Sequence, residues 1–93
     1  MRPELKSVPS LAPGVRLTDG DRESKILLMP ERALRLNGSS FQILRLCDGE
    51  HTVQAIAEKL QADYPTADPQ RIMNDMLDYL ASLHEERAID FLP

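Results

Sequence analysis

The apolar pattern of this chain changes its period near residue 38, and this change constrains the fold more than any other feature. Before residue 38 the apolar residues form short runs at 15–18, 25–29 and 32–36, separated by turn-forming segments. Alternation of apolar and polar residues in such runs is typical of strands with one buried face. The run 25–29 is apolar at four of its five positions, which predicts a strand covered on both faces. Three short strands in a row predict a small antiparallel sheet.

Beyond residue 38 the apolar residues recur every three or four positions, which predicts three helices. Side chains that can accept hydrogen bonds from free helix amides precede the helical stretches: Ser39 or Ser40, Thr52 and Asp68. Pro69 follows Asp68 at the first helical position, where no amide donor is needed. The second and third helices are predicted over 52–64 and 68–84. Strands followed by three helices at this size predict an α+β fold that is winged-helix-like.

The third helix carries an unusually wide apolar face. At 100° per residue its apolar side chains span an arc of about 160°, whereas one packed face needs roughly 100°. These side chains are Ile72, Met73, Met76, Leu77, Tyr79, Leu80 and Leu83. The extra width predicts a second partner for this helix: either it packs between two other elements of the fold, or Met73 and Met76 belong to a surface that accepts a peptide.

Length and composition indicate one small domain. The chain has 93 residues, of which 42% are hydrophobic, and we assign 15–93 to a single domain preceded by an extended, proline-rich arm over 1–14. A chain of this size buries roughly 60–65% of its unfolded surface, which favours a binding surface over an enclosed active site. No apolar run approaches the roughly 18 residues of a membrane span, and the first residues lack the apolar run of a signal peptide. We therefore expect a cytoplasmic protein without membrane contact.

The residue types that carry catalysis or bind metals are sparse. Cys47 is the single cysteine, so it forms no disulfide within the chain, and its apolar surroundings in sequence predict a buried thiol. His51 lies in a polar turn and His84 at a polar helix end, without the spacing of a metal site. The sequence contains no P-loop, dinucleotide-binding glycine motif or nucleophile elbow. We expect no metal, no cofactor and no enzymatic activity of its own.

Charge argues against nucleic acid as the partner. The net charge is -4, and the acidic residues concentrate after residue 47, where ten acidic side chains face three basic ones. A winged-helix fold is compatible with a small DNA-binding regulator, but helix 68–84 carries three aspartates against one arginine and would be repelled by phosphates. A purely structural subunit of an enzyme complex is a third alternative.

Peptide capture fits the pattern best. An edge strand offers unpaired amides and carbonyls to which an extended peptide can add, while its side chains enter a neighbouring apolar groove. Strand 32–36 and the wide face of helix 68–84 supply these two parts if they lie side by side. An edge strand can also pair with a second copy, so the sequence leaves a monomer and a homodimer open.

Five blocks of sequence resemble the PqqD family in the family's order. They are Pro13-Gly14-Val15-Arg16-Leu17, Leu27-Leu28-Met29-Pro30-Glu31, Leu34-Arg35-Leu36-Asn37, Ile43-Leu44-Arg45-Leu46-Cys47-Asp48-Gly49 and Thr52-Val53. The resemblance covers about residues 9 to 90. It implies a RiPP recognition element, a module that binds the leader of a ribosomally made precursor peptide. The implied peptide is PqqA, and the implied partner enzyme is the radical S-adenosylmethionine protein PqqE of pyrroloquinoline quinone biosynthesis.

The resemblance also implies which residues bind the peptide. The leader would pair with the third strand and lie against the third helix, which gives the set Arg32, Ala33, Leu34, Arg35, Leu36, Ile72, Met76, Tyr79 and Leu83. We expect Arg32 and Arg35 to pair with acidic residues of the peptide. The chain departs from the family after the third helix, where 84–89 contains no glycine. The end of this helix, and the placement of Ile89 and Phe91, are therefore left open.

Overall fold

The computed structural model describes residues 2–21, 24–36 and 38–92. Its elements are β1 (Val8–Leu11), β2 (Arg16–Asp21), β3 (Ser24–Met29), β4 (Arg32–Leu36), α1 (Gly38–Arg45), α2 (Val53–Asp63), α3 (Pro69–Glu85) and β5 (Ile89–Leu92). The predicted three strands and three helices are confirmed, and two further strands lie at the ends of the chain. No helix in these ranges is both long and apolar enough to cross a membrane.

Strand β3 is the centre of the predicted antiparallel sheet, whose order is β2-β3-β4. Leu27 of β3 is fully buried and lies between Leu17 and Leu34 on the neighbouring strands, so this row faces the core. The next residue of β3, Leu28, is 36% exposed on the opposite face. The prediction that 25–29 is covered on both faces is therefore wrong within this chain, because the outer face of the sheet carries exposed apolar surface.

The second sheet, β1-β5, was not predicted, and it includes part of the predicted arm. Strand β1 pairs with β5 in antiparallel register, from Val8 opposite Leu92 to Leu11 opposite Ile89. The backbone carbonyl of Ser7 also accepts the amide of Val53 at 2.8 Å, at the first turn of α2. A helix has free amides in its first turn, so this bond satisfies one of them. The described part of the arm thus packs against the rest of the chain.

The helix starts follow the predicted caps in two of three cases. The Thr52 hydroxyl accepts the amide of Ala55 at 3.1 Å, and the Asp68 carboxylate accepts the amide of Gln70 at 3.0 Å, with Pro69 as the first residue of α3. Helix α1 begins at Gly38, ahead of both serines proposed as its cap. One residue separates β4 from α1, so the helix starts at once and the serines become part of it.

Helix α3 ends in a Schellman motif with an arginine at the left-handed position. Arg87 has φ 63°, a conformation that glycine adopts at lower cost than other residues. The amide of Ala88 donates to the carbonyl of Leu83 at 2.9 Å, and that of Arg87 to the carbonyl of His84 at 3.0 Å. The turn at the end of α3 therefore forms without a glycine, with Arg87 at the position that glycine commonly occupies. The chain continues into β5, where Phe91 contacts the His84 ring edge-on at 4.9 Å.

Candidate functional site

The start of β4 lies near the C-terminal end of α3, and the segment after β4 lies near the middle of this helix. At the start of β4, Arg32 forms an ion pair with Glu86, just beyond α3, at 3.2 Å. Past the end of β4, Ser40 of α1 and Tyr79 of α3 line one cavity. These two observations place the start of β4 and the segment after its end near α3, and we call the space between β4 and α3 the cleft.

The strand side of this cleft is an open sheet edge. Within the described ranges β4 pairs with β3 on one side and with no strand on the other. Alternate residues of an antiparallel edge strand direct their amide and carbonyl away from the paired strand, so β4 presents free hydrogen-bonding groups to the cleft. Leu34 and Leu36 are half-buried against the core, whereas Ala33 and Arg35 are exposed on the other face of the sheet.

The helix side contains residues at three depths. Ile72 and Tyr79 are half-buried and reach the surface, Met76 is 1% exposed, and Leu83 is 2% exposed. Ile72, Met76 and Tyr79 line one cavity together, whereas Leu83 packs within the hydrophobic core. Of the predicted groove residues, Ile72, Met76 and Tyr79 therefore line the cavity, whereas Leu83 belongs to the hydrophobic core.

The cavity has a volume of about 400 Å³ and lies among α1, α2 and α3. Its lining consists of Ser39, Ser40, Ile43, Leu60, Tyr64, Ala67, Ile72, Asp75, Met76 and Tyr79. The sequence analysis found three of these as site residues and missed the contribution of α1 and α2. One signal was present, because Ile43 is an apolar residue of α1 that lies off the apolar stripe formed by Phe41 and Leu44. An apolar residue off the main stripe indicates a second neighbour.

Opposite charges lie on the two sides of the cleft. Arg32 already has Glu86 as its partner, with both side chains nearly half exposed. Arg35 forms no ion pair with any described residue, and Asp75 at the cavity rim lies 3.9 Å from Arg71. Burial raises the pKa of the Tyr79 phenol above its usual range, while the hydrogen bond with Ser40 acts to lower it. The cleft can thus hold an apolar side chain and meet charges of either sign at its rims.

The other residues considered for chemistry have structural roles. The Cys47 thiol is 2% exposed and donates a hydrogen bond to the carbonyl of Ile43 at 3.3 Å, and burial raises its pKa to about 12. The Asp48 carboxylate contacts the His51 ring at 2.9 Å, and this hydrogen bond is the main cause that lowers the Asp48 pKa. Asp48 and His51 lie in the turn between α1 and α2. The described ranges contain no group of three or more His, Cys, Asp or Glu arranged to hold a metal.

The fold and the cleft define a small winged-helix-like binding module with an open strand edge at β4. Residues 24–89 match the protein family described as coenzyme PQQ synthesis protein D (PqqD). The chain belongs to the PqqD family, as its sequence blocks indicated.

Similar proteins support the family and the fold. The chain is 34% identical over 84 residues to the PqqA binding protein of Xanthomonas euvesicatoria pv. vesicatoria, covering 89% of this chain and 90% of that protein. It is 42% identical over 84 residues to the bifunctional coenzyme PQQ synthesis protein C/D of Methylorubrum extorquens, which covers 89% of this chain and 22% of that protein.

A solved structure has the same fold. The solution NMR structure of the PqqD truncation of Methylobacterium extorquens PqqCD matches with a TM-score of 0.73 and 40% identity, covering 89% of this chain and 88% of that chain. That truncation is described as a functional, stand-alone RiPP recognition element. The winged-helix-like α+β fold predicted from the sequence is confirmed.

Proposed function

We propose that this chain is a peptide chaperone of pyrroloquinoline quinone biosynthesis that binds PqqA by strand addition to β4 and presents it to PqqE. The observation that carries this proposal is the open edge of β4, whose start lies near the end of α3 and whose end leads into α1, one of the helices that line the apolar cavity. The PqqA binding protein of Xanthomonas supports PqqA as the peptide. The fusion of two synthesis proteins in the Methylorubrum relative supports action next to an enzyme.

Two kinds of contact would share the work of recognition. The main chain of β4 pairs with the peptide backbone and supplies affinity for any extended sequence, whereas the cavity selects the side chain that enters it. Ile72 and Tyr79 form the walls of the cavity and Met76 its floor, while Leu83 holds α3 against the core. Arg32 is already paired with Glu86, and Arg35 lies on the outward face of β4, so an acidic peptide residue that meets Arg35 would be one that faces outward from the added strand.

The role we propose is binding without catalysis. The relatives above are named for PqqA binding and for recognition, which supports this role. The cleft also offers an apolar cavity and backbone groups rather than a set of converging acids and bases. Chemistry on the peptide is then left to the partner enzyme.

An NMR titration tests the proposal. Synthetic PqqA is added to the isotope-labelled full chain, and the amide shifts of β4, of 72–83 and of 39–43 are followed, with duplex DNA as a parallel titrant. Saturable shifts confined to these segments, and none with DNA, are the expected result. Shifts with DNA instead of PqqA would favour a regulator, and binding of PqqE without PqqA binding would favour a structural subunit.

A matched pair of variants tests the cavity. Met76 is too deeply buried for a useful substitution, because a polar residue there would disturb the core. Ile72→Ser changes a half-buried cavity residue, and Leu77→Ser makes the same kind of change on α3 outside the cavity. Ile72→Ser is expected to weaken PqqA binding about tenfold, because burying a large aliphatic side chain contributes roughly 1.5–3 kcal/mol. Equal loss in both variants would contradict the assignment of the cavity.

A further inference from the structure

The outer face of the three-stranded sheet carries a second unoccupied surface, away from the cavity. Residues opposite each other in neighbouring strands point to the same face. The row through Leu27 faces the core, so the rows on either side of it face outward. They run Arg16–Leu28–Ala33 and Thr18–Ile26–Arg35 across β2, β3 and β4. We call these six residues the outer sheet face.

The outer sheet face has an apolar centre with a cation at two opposite corners. Leu28 is 36% exposed, Ala33 is exposed and Ile26 is half-buried, and neither Ile26 nor Leu28 belongs to the hydrophobic core or packs against it. Arg16 and Arg35 are exposed and form no ion pair with any residue in the described ranges. Contiguous apolar residues beside arginine are typical of protein interfaces.

We propose that the outer sheet face docks the peptide-modifying enzyme, through an apolar patch on that enzyme rimmed by carboxylates. This inference rests on the proposed function, because it assumes that PqqA is presented to PqqE. The two arginines indicate a partner that carries carboxylates, since none of the six residues of the outer sheet face is acidic and neither arginine has an ion pair within the described ranges.

A second copy of this chain fits the same face poorly. A two-fold symmetric dimer buries the same patch from both copies, so four arginines would enter one interface with no carboxylate of the patch between them. A head-to-tail contact between the arginines and the acidic α3 of another copy would leave unmatched surfaces at both ends and continue into filaments. A different protein with an acidic rim avoids both problems.

The position of the outer sheet face suits presentation of a peptide. β4 contributes Ala33 and Arg35 to this face, while its free edge borders the cleft. A peptide strand added to that edge extends the same sheet, and its outward side chains continue the outer sheet face. An enzyme docked there would meet the peptide directly beside Ala33 and Arg35.

Charge reversal and loss of the apolar centre test this surface. Arg16→Glu and Leu28→Ser change residues of β2 and β3 that lie outside the cleft. Lys59→Glu on α2 is the control for charge, and Leu5→Ser, at a leucine 44% exposed, is the control for exposed apolar area. The affinities of the full chain for purified PqqE and for synthetic PqqA are measured separately by calorimetry, and sedimentation reports self-association.

The inference predicts that Arg16→Glu and Leu28→Ser each weaken PqqE binding about tenfold and that PqqA affinity stays within about twofold, as do both affinities in the controls. Added salt should weaken PqqE binding by the wild-type chain. Unchanged PqqE affinity in both variants, or absence of PqqE binding by the wild type, overturns the inference. Loss of self-association with PqqE binding intact also overturns it and assigns the face to a homodimer. Failure of PqqA binding by the wild type would instead overturn the proposed function.

Discussion

The two sheets of this chain differ in the backbone hydrogen bonding of their edge strands β1 and β4. In the β1-β5 sheet, backbone bonds to the rest of the chain continue on the outer side of β1: the Gly49 amide donates to the Pro9 carbonyl at 3.0 Å and the Leu11 amide to the Cys47 carbonyl at 3.2 Å. In the β2-β3-β4 sheet, the outer side of β4 has no partner strand in the described ranges. The comparison indicates that the first sheet stabilises the module, and the second is open to a ligand.

The largest expected change in the free energy of unfolding comes from a substitution in the β1-β5 sheet. Ile89→Ala in β5 removes a fully buried side chain and should lower the free energy of unfolding by about 2–5 kcal/mol. Arg35→Ala, on exposed β4, should change it by no more than about 0.5 kcal/mol. Urea unfolding of both variants checks this contrast. Similar stabilities for the two variants would mean that the β1-β5 sheet contributes little.

Cys47, whose carbonyl accepts the amide of Leu11 in β1, makes the free energy of unfolding depend on pH. Its folded pKa of about 12 lies above the 9.0 of an exposed cysteine thiol, so folding favours the neutral thiol. This contribution is complete below pH 9.0 and is lost as the pH rises from 9.0 toward 12. Between pH 7.5 and 10 the wild type should lose about 1 kcal/mol more stability than Cys47→Ala. Equal losses in the two proteins would contradict a buried, protonated thiol.

A substitution in the turn between α3 and β5 is expected to stabilise the folded protein. Arg87→Gly places glycine at a positive φ and should raise the free energy of unfolding by about 0.5–1 kcal/mol. Glu85→Gly, two residues earlier within α3, should lower it by about 1 kcal/mol. Thermal unfolding compares the two. Destabilisation by both changes would mean that contacts of the Arg87 side chain outweigh its backbone conformation.

The smallest effect on stability is expected at the open edge. Glu86→Gln removes the partner of Arg32, but this ion pair is nearly half exposed and should contribute no more than about 0.5 kcal/mol. The same change frees Arg32 for the peptide, so affinity for PqqA should rise slightly if its residue there is acidic. A large loss of stability would show that the open edge depends on this ion pair for its structure.

Local signals in the sequence were enough for much of the fold. Period-two runs predicted β2 and β4, the short apolar run 25–29 predicted β3, and the caps Thr52 and Asp68 predicted two helix starts. The β1-β5 sheet was missed because its strands come from opposite ends of the chain and each has only four residues. A short strand is recognised by its partner, and no local pattern identifies a partner so far away in sequence.

The candidate site was predicted only in part for the same reason. The wide apolar face of α3 indicated Ile72, Met76 and Tyr79, but their depths depend on how the other helices pack. Ile43 and Ser40 were missed because the neighbour of α1 is decided by tertiary structure. The exposed face of β3 was not predicted, because an apolar run does not distinguish a strand buried on both faces from a strand with one exposed apolar face.

Hydrogen exchange of the β4 amides tests the central claim most directly. The full chain is labelled, saturated with synthetic PqqA and followed by NMR, with the amides of β2, the other edge of the same sheet, as internal reference. The account predicts that alternate β4 amides exchange about tenfold more slowly with PqqA bound, while those of β2 exchange at unchanged rates. Unchanged exchange along β4 at saturating PqqA would contradict strand addition at this edge.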